Sequence, residues 1–265
     1  MSEAELYRIE ELPADELDGA SGAKRKFRFE FIGKAPNPRF PFTVANEVVS
    51  NFIAMLLGFE VPTVLPTVLA PEPFAMVLWF KHAASRQDGP PMSSARVQEL
   101  VSLNSDVVHG AIILDLYLAN TDRAFGPQRR NIAFDESGRL VLFDFGNALF
   151  YRNREHVGIN AGIERLDAVE SDIRQMFDKQ RENPQDYYFQ LLTDWSLVEK
   201  WCERLRQIPE YIIETAVRRI PESIVPPDGE ERKRLRRFLK QRPCYLFDQI
   251  KNNLDLFTGL NGGQS

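Results

Sequence analysis

The sequence predicts an α+β fold in which a small sheet-rich part precedes a mainly helical one, and three observations carry that expectation. Strand-like patterns gather before residue 85: residues 26–31 alternate, with Phe27, Phe29 and Phe31 on one face and Lys26, Arg28 and Glu30 on the other, and residues 74–80 form a short apolar β-type run. From Ser93 onward most apolar residues follow helical spacing, interrupted by Pro184, Pro209, Pro221 and Pro226-Pro227. Between the two regions lies a polar stretch ending in Gly89-Pro90-Pro91, a natural boundary. Residues 1–85 and 86–265 are therefore expected as two lobes of one domain, and 265 residues suffice for a shared core.

Taken in order, residues 6–12 and 26–31 read as a strand hairpin. The linker Asp18-Gly19-Ala20-Ser21-Gly22-Ala23 is small and free enough for its amides, those of Ser21 and Gly22 among them, to approach phosphate oxygens; an ordinary flexible turn suits it equally. Residues 44–57 predict a helix with Val44, Val48, Phe52, Met55 and Leu56 on its core face, Gly58 as its stop, and Glu47 near its start and off that face. Residues 61–70 carry Pro62 and Pro66, with Pro71 next, which suits an edge strand or an extended connection. Residues 74–80 suit a central strand, whose end, Trp79-Phe80, offers flat walls for a planar base or simply for core packing.

Ser93 or Ser94 is placed to cap a helix through Leu103, with Arg96 and Glu99 exposed. Residues 106–118 form a second helix, with Ile112, Ile113, Leu116 and Tyr117 buried and Asp115 in a structural role. Strands at 132–135 and 139–143 flank a turn, Glu136-Ser137-Gly138, where glycine supplies the backbone angles a short hairpin demands. Charged, poorly periodic sequence follows to residue 163, where a substrate loop would lie. Tyr187, Tyr188, Phe189, Trp195 and Trp201 read as core aromatics, residues 235–250 as the last helix and 259–265 as a frayed tail.

The chemistry gathers in residues 116–149. Asp122 sits in the loop after the second helix, Asn131 where that loop enters the first strand of the hairpin, and Asp144 where the second strand stops. A hairpin holds its ends together, so Asn131 and Asp144 are expected to converge on one Mg²⁺, which prefers hard carboxylate and amide oxygens. Asp122 suits the group that orients an attacking hydroxyl and accepts its proton, and Arg123 or Arg130 suits neutralising a transferring phosphoryl group or steadying the loop.

These residues resemble the catalytic segment of the HipA-like kinases of the protein-kinase-like superfamily, and less closely the phosphoinositide kinases. The resemblance rests on Asn120-Thr121-Asp122-Arg123, on Arg130-Asn131, on Asp144-Phe145-Gly146-Asn147-Ala148, and upstream on residues 42–62 with their Asn46-Glu47 pair; fainter similarity continues to residue 250. It implies a two-lobed protein-kinase-like fold and ATP- and Mg²⁺-dependent phosphoryl transfer to a hydroxyl of a protein or small-molecule acceptor. It also implies a lysine on the α- and β-phosphates paired to Glu47, with Lys34 the first choice and Lys26 the second, and Trp79-Phe80 beside the adenine. In the family that lysine lies within the strand, at a level where this chain offers Arg28 and Glu30, so a catalytically impaired nucleotide-binding relative is the alternative. A second departure is the gap between Asp122 and Asn131, wider than in protein kinases and the original HipA proteins, with the extra residues at 124–128.

A net charge of −5 argues against general nucleic-acid binding, which calls for a basic face; the basic run at 232–237 reads as the solvated side of a helix. No apolar run approaches membrane-spanning length and no leader pattern opens the chain, so the expected location is the cytoplasm, without a membrane partner. Cys202 and Cys244 read as separate buried thiols in a reducing compartment, and three scattered histidines do not suggest zinc.

Overall fold

The computed structural model of the chain describes residues 9–11, 27–29, 31–36, 41–69, 72–78, 92–120, 122–125, 129–135, 137–150, 173 and 185–263. Strand β1 (Ile9–Glu11) pairs antiparallel with β2 (Phe27–Phe29), as the hairpin expectation had it. The expected single strand at 26–31 is corrected, however. Strand β3 (Phe31–Lys34) belongs to a different sheet and runs on through Lys34. That sheet has the order β3-β5-β4, all antiparallel, with β5 (Glu72–Leu78) central and β4 (Val64–Leu69) at the edge. An edge strand tolerates Pro66, which has no ladder N–H to give.

Helix α1 (Thr43–Leu56) is buried on two sides. Val44 and Val48 pack on Val64, Ala75 and Val77 of the sheet, while Ala45, Val49 and Ile53 enter the main core. The expected single core face is therefore corrected: Glu47 is fully buried, and Met55 and Leu56 at the far end are about half exposed, at 51% and 46%. A helix sandwiched between a sheet and a helical bundle has little solvated face, so its polar residues must find partners inside.

Helix α2 (Ser94–Leu103) starts at Ser93, whose hydroxyl accepts from the N–H of Arg96 at 3.2 Å. Helix α3 (Ser105–Leu118) is buried from Val108 to its end, as expected of a helix apolar on every side. Around it lie α4 (Gln185–Gln190), α5 (Trp195–Arg206), α6 (Glu210–Arg218) and α7 (Glu230–Asn252). Trp201 of α5 stacks on Phe59, with ring centroids 4.9 Å apart, and donates its indole N–H to the carbonyl of Asp106 at 2.9 Å. Among the described residues no single helix is long and apolar enough to cross a membrane.

The C-terminal part departs from expectation in three places. Helix α7 begins earlier than residue 235 and carries Pro243 within it. Arg232, assigned to a solvated basic face, is buried, its guanidinium donating to the carbonyls of Val217, Ile220, Val225 and Pro226. The expected frayed tail is a 3₁₀ helix, Thr258–Gly263, anchored by buried Phe257 and Leu260. Of the cysteines, burial pushes the Cys202 thiol up to about 12, but Cys244 is exposed.

A methyl group at Gly110 in α3 would lie 2.3 Å from Cε2 of Trp201. Alanine in a helix interior is ordinarily better than glycine by about 1 kcal/mol, but the stacked, hydrogen-bonded indole has nowhere to go. Gly110→Ala should therefore destabilise the fold by roughly 1–3 kcal/mol in urea unfolding, the usual cost of overpacking. A variant as stable as the parent would show that Trp201 repacks freely.

Candidate active site

Helix α3 ends at Ala119, whose φ of 54° places it in the left-handed region. The turn aims Asn120 back at the helix, where its amide donates to Asp115 Oδ1 at 2.8 Å. Asp115 is itself fully buried; the single Nε–H of Arg123 is shared between its two oxygens, at 3.1 and 2.8 Å, and the hydroxyl of Tyr188 donates to it at 2.9 Å. Burial pushes the Asp115 carboxyl up, and the Arg123 charge with these donors opposes that. Arg123 Nη1 then donates to the carbonyls of Asn131 and Phe143, the latter at 3.0 Å, and the guanidinium lies over the Phe145 ring. One side chain thus ties α3 to both ends of the hairpin.

Within the wider gap between Asp122 and Asn131, β6 (Ala124–Phe125) pairs antiparallel with β7 (Arg129–Arg130), and residues 126–128 lie outside the described residues. The Asn131 amide donates to the carbonyl of Asp122 at 2.7 Å. Strands β8 (Ile132–Phe134) and β9 (Leu140–Leu142) pair Ile132 with Leu142, and the N–H of Phe143 donates to the carbonyl of Asn131 at 3.3 Å. Asn131 therefore stands opposite the residue before Asp144. Both have positive φ, 59° and 56°, a conformation that side-chain-bearing residues keep only where their surroundings impose it. At the other end of the hairpin, buried Asp135 accepts from Ser137 Oγ, Arg139 N and Arg139 Nε at 2.6, 2.9 and 2.7 Å.

Lys34 meets two carboxylates. Its Nζ lies 2.9 Å from Glu47 Oε2 and 2.9 Å from Asp144 Oδ1. Burial alone would lower the ammonium's pKa, but the two acids outweigh it and hold it above its ordinary value. Asp144, desolvated too, is held below the usual range because the charge and hydrogen bond of Lys34 win. Glu47 ends above its usual range, since complete burial and the Asp144 charge outweigh the help from Lys34. Glu47 Oε2 also accepts from the N–H of Phe145 at 2.9 Å, and its neighbour Asn46 bonds Gly146 O at 2.9 Å and both N–H and C=O of Phe150 at 3.1 Å. Gly146 has no room for a side chain: a Cβ would sit 2.8 Å from Thr43 Oγ1.

Asp122 completes the cluster. Arg130 Nη1 lies 3.2 Å from its Oδ1, and the Asn147 amide donates to its Oδ2. Because Asn147 follows Asp144 in one loop and Asn131 holds the backbone of Asp122, the two aspartates expected to share a site do share a neighbourhood. Asn131 Oδ1 is buried and has no hydrogen-bond partner, and its orientation is set because the amide N–H is spent on Asp122. A hard, unpartnered amide oxygen is a donor Mg²⁺ accepts; among the described residues no group of three or more His, Cys, Asp or Glu side chains is placed to hold a metal ion.

Of the expected site residues, the structure brings together Lys34, Glu47, Asp122, Asn131 and Asp144. Lys34 lies within strand β3 rather than after it. Of the two roles expected for Arg123, its full burial and its bonds to Asp115 and two carbonyls suit steadying the loop. Ser21, Gly22, Lys26, Trp79 and Phe80 lie outside the described residues. Sequence reasoning missed the Asn46 clamp and the Asn147 contact, for which only the polar side chain's position beside an expected site residue was a clue.

Two outcomes follow. Arg123→Lys keeps the charge but loses the fork that grips Asp115 and the two carbonyls; it should cost about 1–3 kcal/mol in urea unfolding, the range for leaving buried polar groups unpaired. For Asp135, burial would raise the pKa, but bonds from Ser137 and Arg139 take it down to about 2. A depressed folded-state pKa gives stability that is complete above the unfolded value of about 3.9 and lost as pH falls through the folded one. Stability should thus decline between about pH 4 and pH 2 with a component that Asp135→Asn removes, read as the pH dependence of the unfolding midpoint.

No family model and no curated protein matches the chain. Among solved structures it is similar to the Helicobacter pylori proinflammatory kinase CtkA, with a TM-score of 0.51 and 15% identity over 85% of this chain and 91% of that one. It also matches the Shewanella oneidensis MR-1 toxin–antitoxin system HipA, HipB with its operator DNA, at a TM-score of 0.43 and 12% identity over 97% of this chain and 75% of that one. At such identities the likeness concerns the fold. The chain shares the α+β architecture of CtkA.

Proposed function

We propose that the chain is an ATP- and Mg²⁺-dependent phosphotransferase, a two-lobed HipA-like kinase that acts on a hydroxyl of a protein or small-molecule acceptor. The observation that carries this reading is Lys34 held 2.9 Å from both Glu47 and Asp144. A lysine fixed by a buried helix glutamate and aimed at a loop carboxylate is positioned for phosphate oxygens and has little other reason to be there.

In this reading residues 1–85 form the small lobe and 86–265 the helical one, with the nucleotide between them. Lys34 holds the α- and β-phosphates, oriented by Glu47. Ser21 and Gly22 cover the phosphates, and Trp79 and Phe80 flank the adenine. Asn131 Oδ1 and the Asp144 carboxylate would hold Mg²⁺, which offsets negative charge on the phosphates when bound. Asp122 accepts the proton of the acceptor hydroxyl as its oxygen bonds to the γ-phosphorus and the bond to the departing ADP oxygen breaks. Catalysis of this kind is mostly positioning and electrostatics, which suits a site whose residues are fixed from behind. Neither nucleic acid nor membrane enters the reaction, which belongs in the cytoplasm where ATP is supplied.

Asp144→Asn should abolish Mg²⁺-dependent ATP binding in calorimetry, and Lys34→Ala should weaken it. Asp122→Asn should bind ATP-Mg²⁺ as the parent does while slowing phosphoryl transfer by roughly 100- to 10,000-fold, the usual worth of a general base. Transfer by Asp122→Asn at the parent rate would overturn the assignment of the base. Parent protein that binds ATP-Mg²⁺ but transfers nothing would leave a nucleotide-binding relative instead.

A further inference from the structure

Asp122 is gripped at both carboxylate oxygens, and the two donors come from different places. Arg130 reaches Oδ1 from β7, which pairs with β6. Asn147 reaches Oδ2 from the loop that carries Asp144. The two are not equivalent. The Arg130–Asp122 pair is exposed at 38% and 31%, so water and salt weaken it and its long side chain is free to leave. Asn147 is 9% exposed and short, and it sits in a loop that Asn46 and Glu47 hold through Gly146, Phe150 and Phe145. A donor with so little freedom fixes the direction of the carboxylate it binds.

We propose that Asn147 is a positioning residue for the base: its side-chain amide holds the Asp122 carboxylate in one orientation and ties that orientation to the loop carrying Asp144. The proposal rests on the phosphotransferase reading of the same site. It follows that the base and the metal-binding carboxylate move as one unit. An acceptor hydroxyl then meets Asp122 through Oδ1, the oxygen from which Arg130 can withdraw, while Oδ2 stays committed to Asn147. Helix α1 enters the same unit because Asn46 and Glu47 hold the loop from behind. Misplacement of a catalytic group by about 1 Å costs on the order of 100-fold in rate, so one amide can matter to turnover without touching nucleotide.

Two variants of the full chain test this. Asn147→Ala removes the amide, and Asn147→Asp keeps its size and shape while replacing the donor with an acceptor that faces Asp122. The readouts are the initial rate of ³²P transfer from labelled ATP to the chain itself and to casein, the KM for ATP, and the unfolding midpoint. Both variants should lose roughly 10- to 100-fold in kcat with the KM for ATP changed less than about twofold, the Asp variant at least as severely as the Ala variant, and both should remain folded. Transfer by Asn147→Asp at the parent rate would overturn the proposal, because shape rather than donation would then suffice. So would a matched rise in KM for ATP, which would mark a loop that has merely come apart. The parent reading fails separately: wild-type chain with neither ATP-Mg²⁺ binding nor transfer would sink it and this role together, whereas normal wild-type transfer with an unimpaired Asn147→Ala sinks only the role of Asn147.

Discussion

The site depends on one buried guanidinium. Arg123 and Asp115 are both removed from water, at 0% and 1% exposure, and a charge so placed is tolerable only when its donors and acceptors are well used. Here the acceptors are a carboxylate on α3 and the carbonyls at the two ends of the β8–β9 hairpin. An apolar replacement of both partners would often be as stable. What it would not do is fix α3, the Asp122 loop and the strand ends to one another. The ion pair is therefore better understood as a gauge block than as a source of stability.

A second constraint runs from helix α1. Asn46 and Glu47 are adjacent in sequence, yet both turn inward because α1 has a sheet on one side and the helical core on the other. Between them they take the N–H of Phe145, the carbonyl of Gly146 and both backbone groups of Phe150. Phe42, just before the helix, stacks on Phe150 with centroids 4.4 Å apart. The helix that orients Lys34 and the loop that presents Asp144 are thus bonded through five side-chain and ring contacts. Displacing one without the other would leave several buried polar groups unpaired, each costing about 1–3 kcal/mol. The left-handed backbone at Asn131, Asp144 and Leu149 is held in the same way, by surroundings that leave it no alternative.

The wider gap between Asp122 and Asn131 shows how insertion and site coexist. The pairing of β6 with β7 brings the chain back close to where it left, and Asn131 bonds the backbone of Asp122. Loop closure costs little for a few added residues, so the fold absorbs them. β7 also carries Arg130 to the rim of the site, where its partner is the Asp122 carboxylate.

Much of this was legible in the residues alone, for physical reasons. An apolar run after a glycine turn pointed to the β8–β9 hairpin; Ile112, Ile113, Leu116 and Tyr117 pointed to α3 as a buried helix; prolines suited β4 as an edge strand or an extended connection. The order Asp122, Asn131, Asp144 around that hairpin implied convergence, because a hairpin joins its ends wherever it lies in the fold. Three things belonged to tertiary structure. Lys34 could be assigned only once β3 was seen to end beside α1, since nothing local distinguishes one exposed-looking lysine from another. The burial of Glu47, Arg123 and Arg232 depended on what packs against each from far along the chain, which periodicity within one helix does not record. The grip of Asn147 on Asp122, 25 residues away, exists because two loops meet, and no local pattern encodes a meeting of loops. Local sequence determined which groups the chain could bring to the site; long-range packing decided which of them face each other.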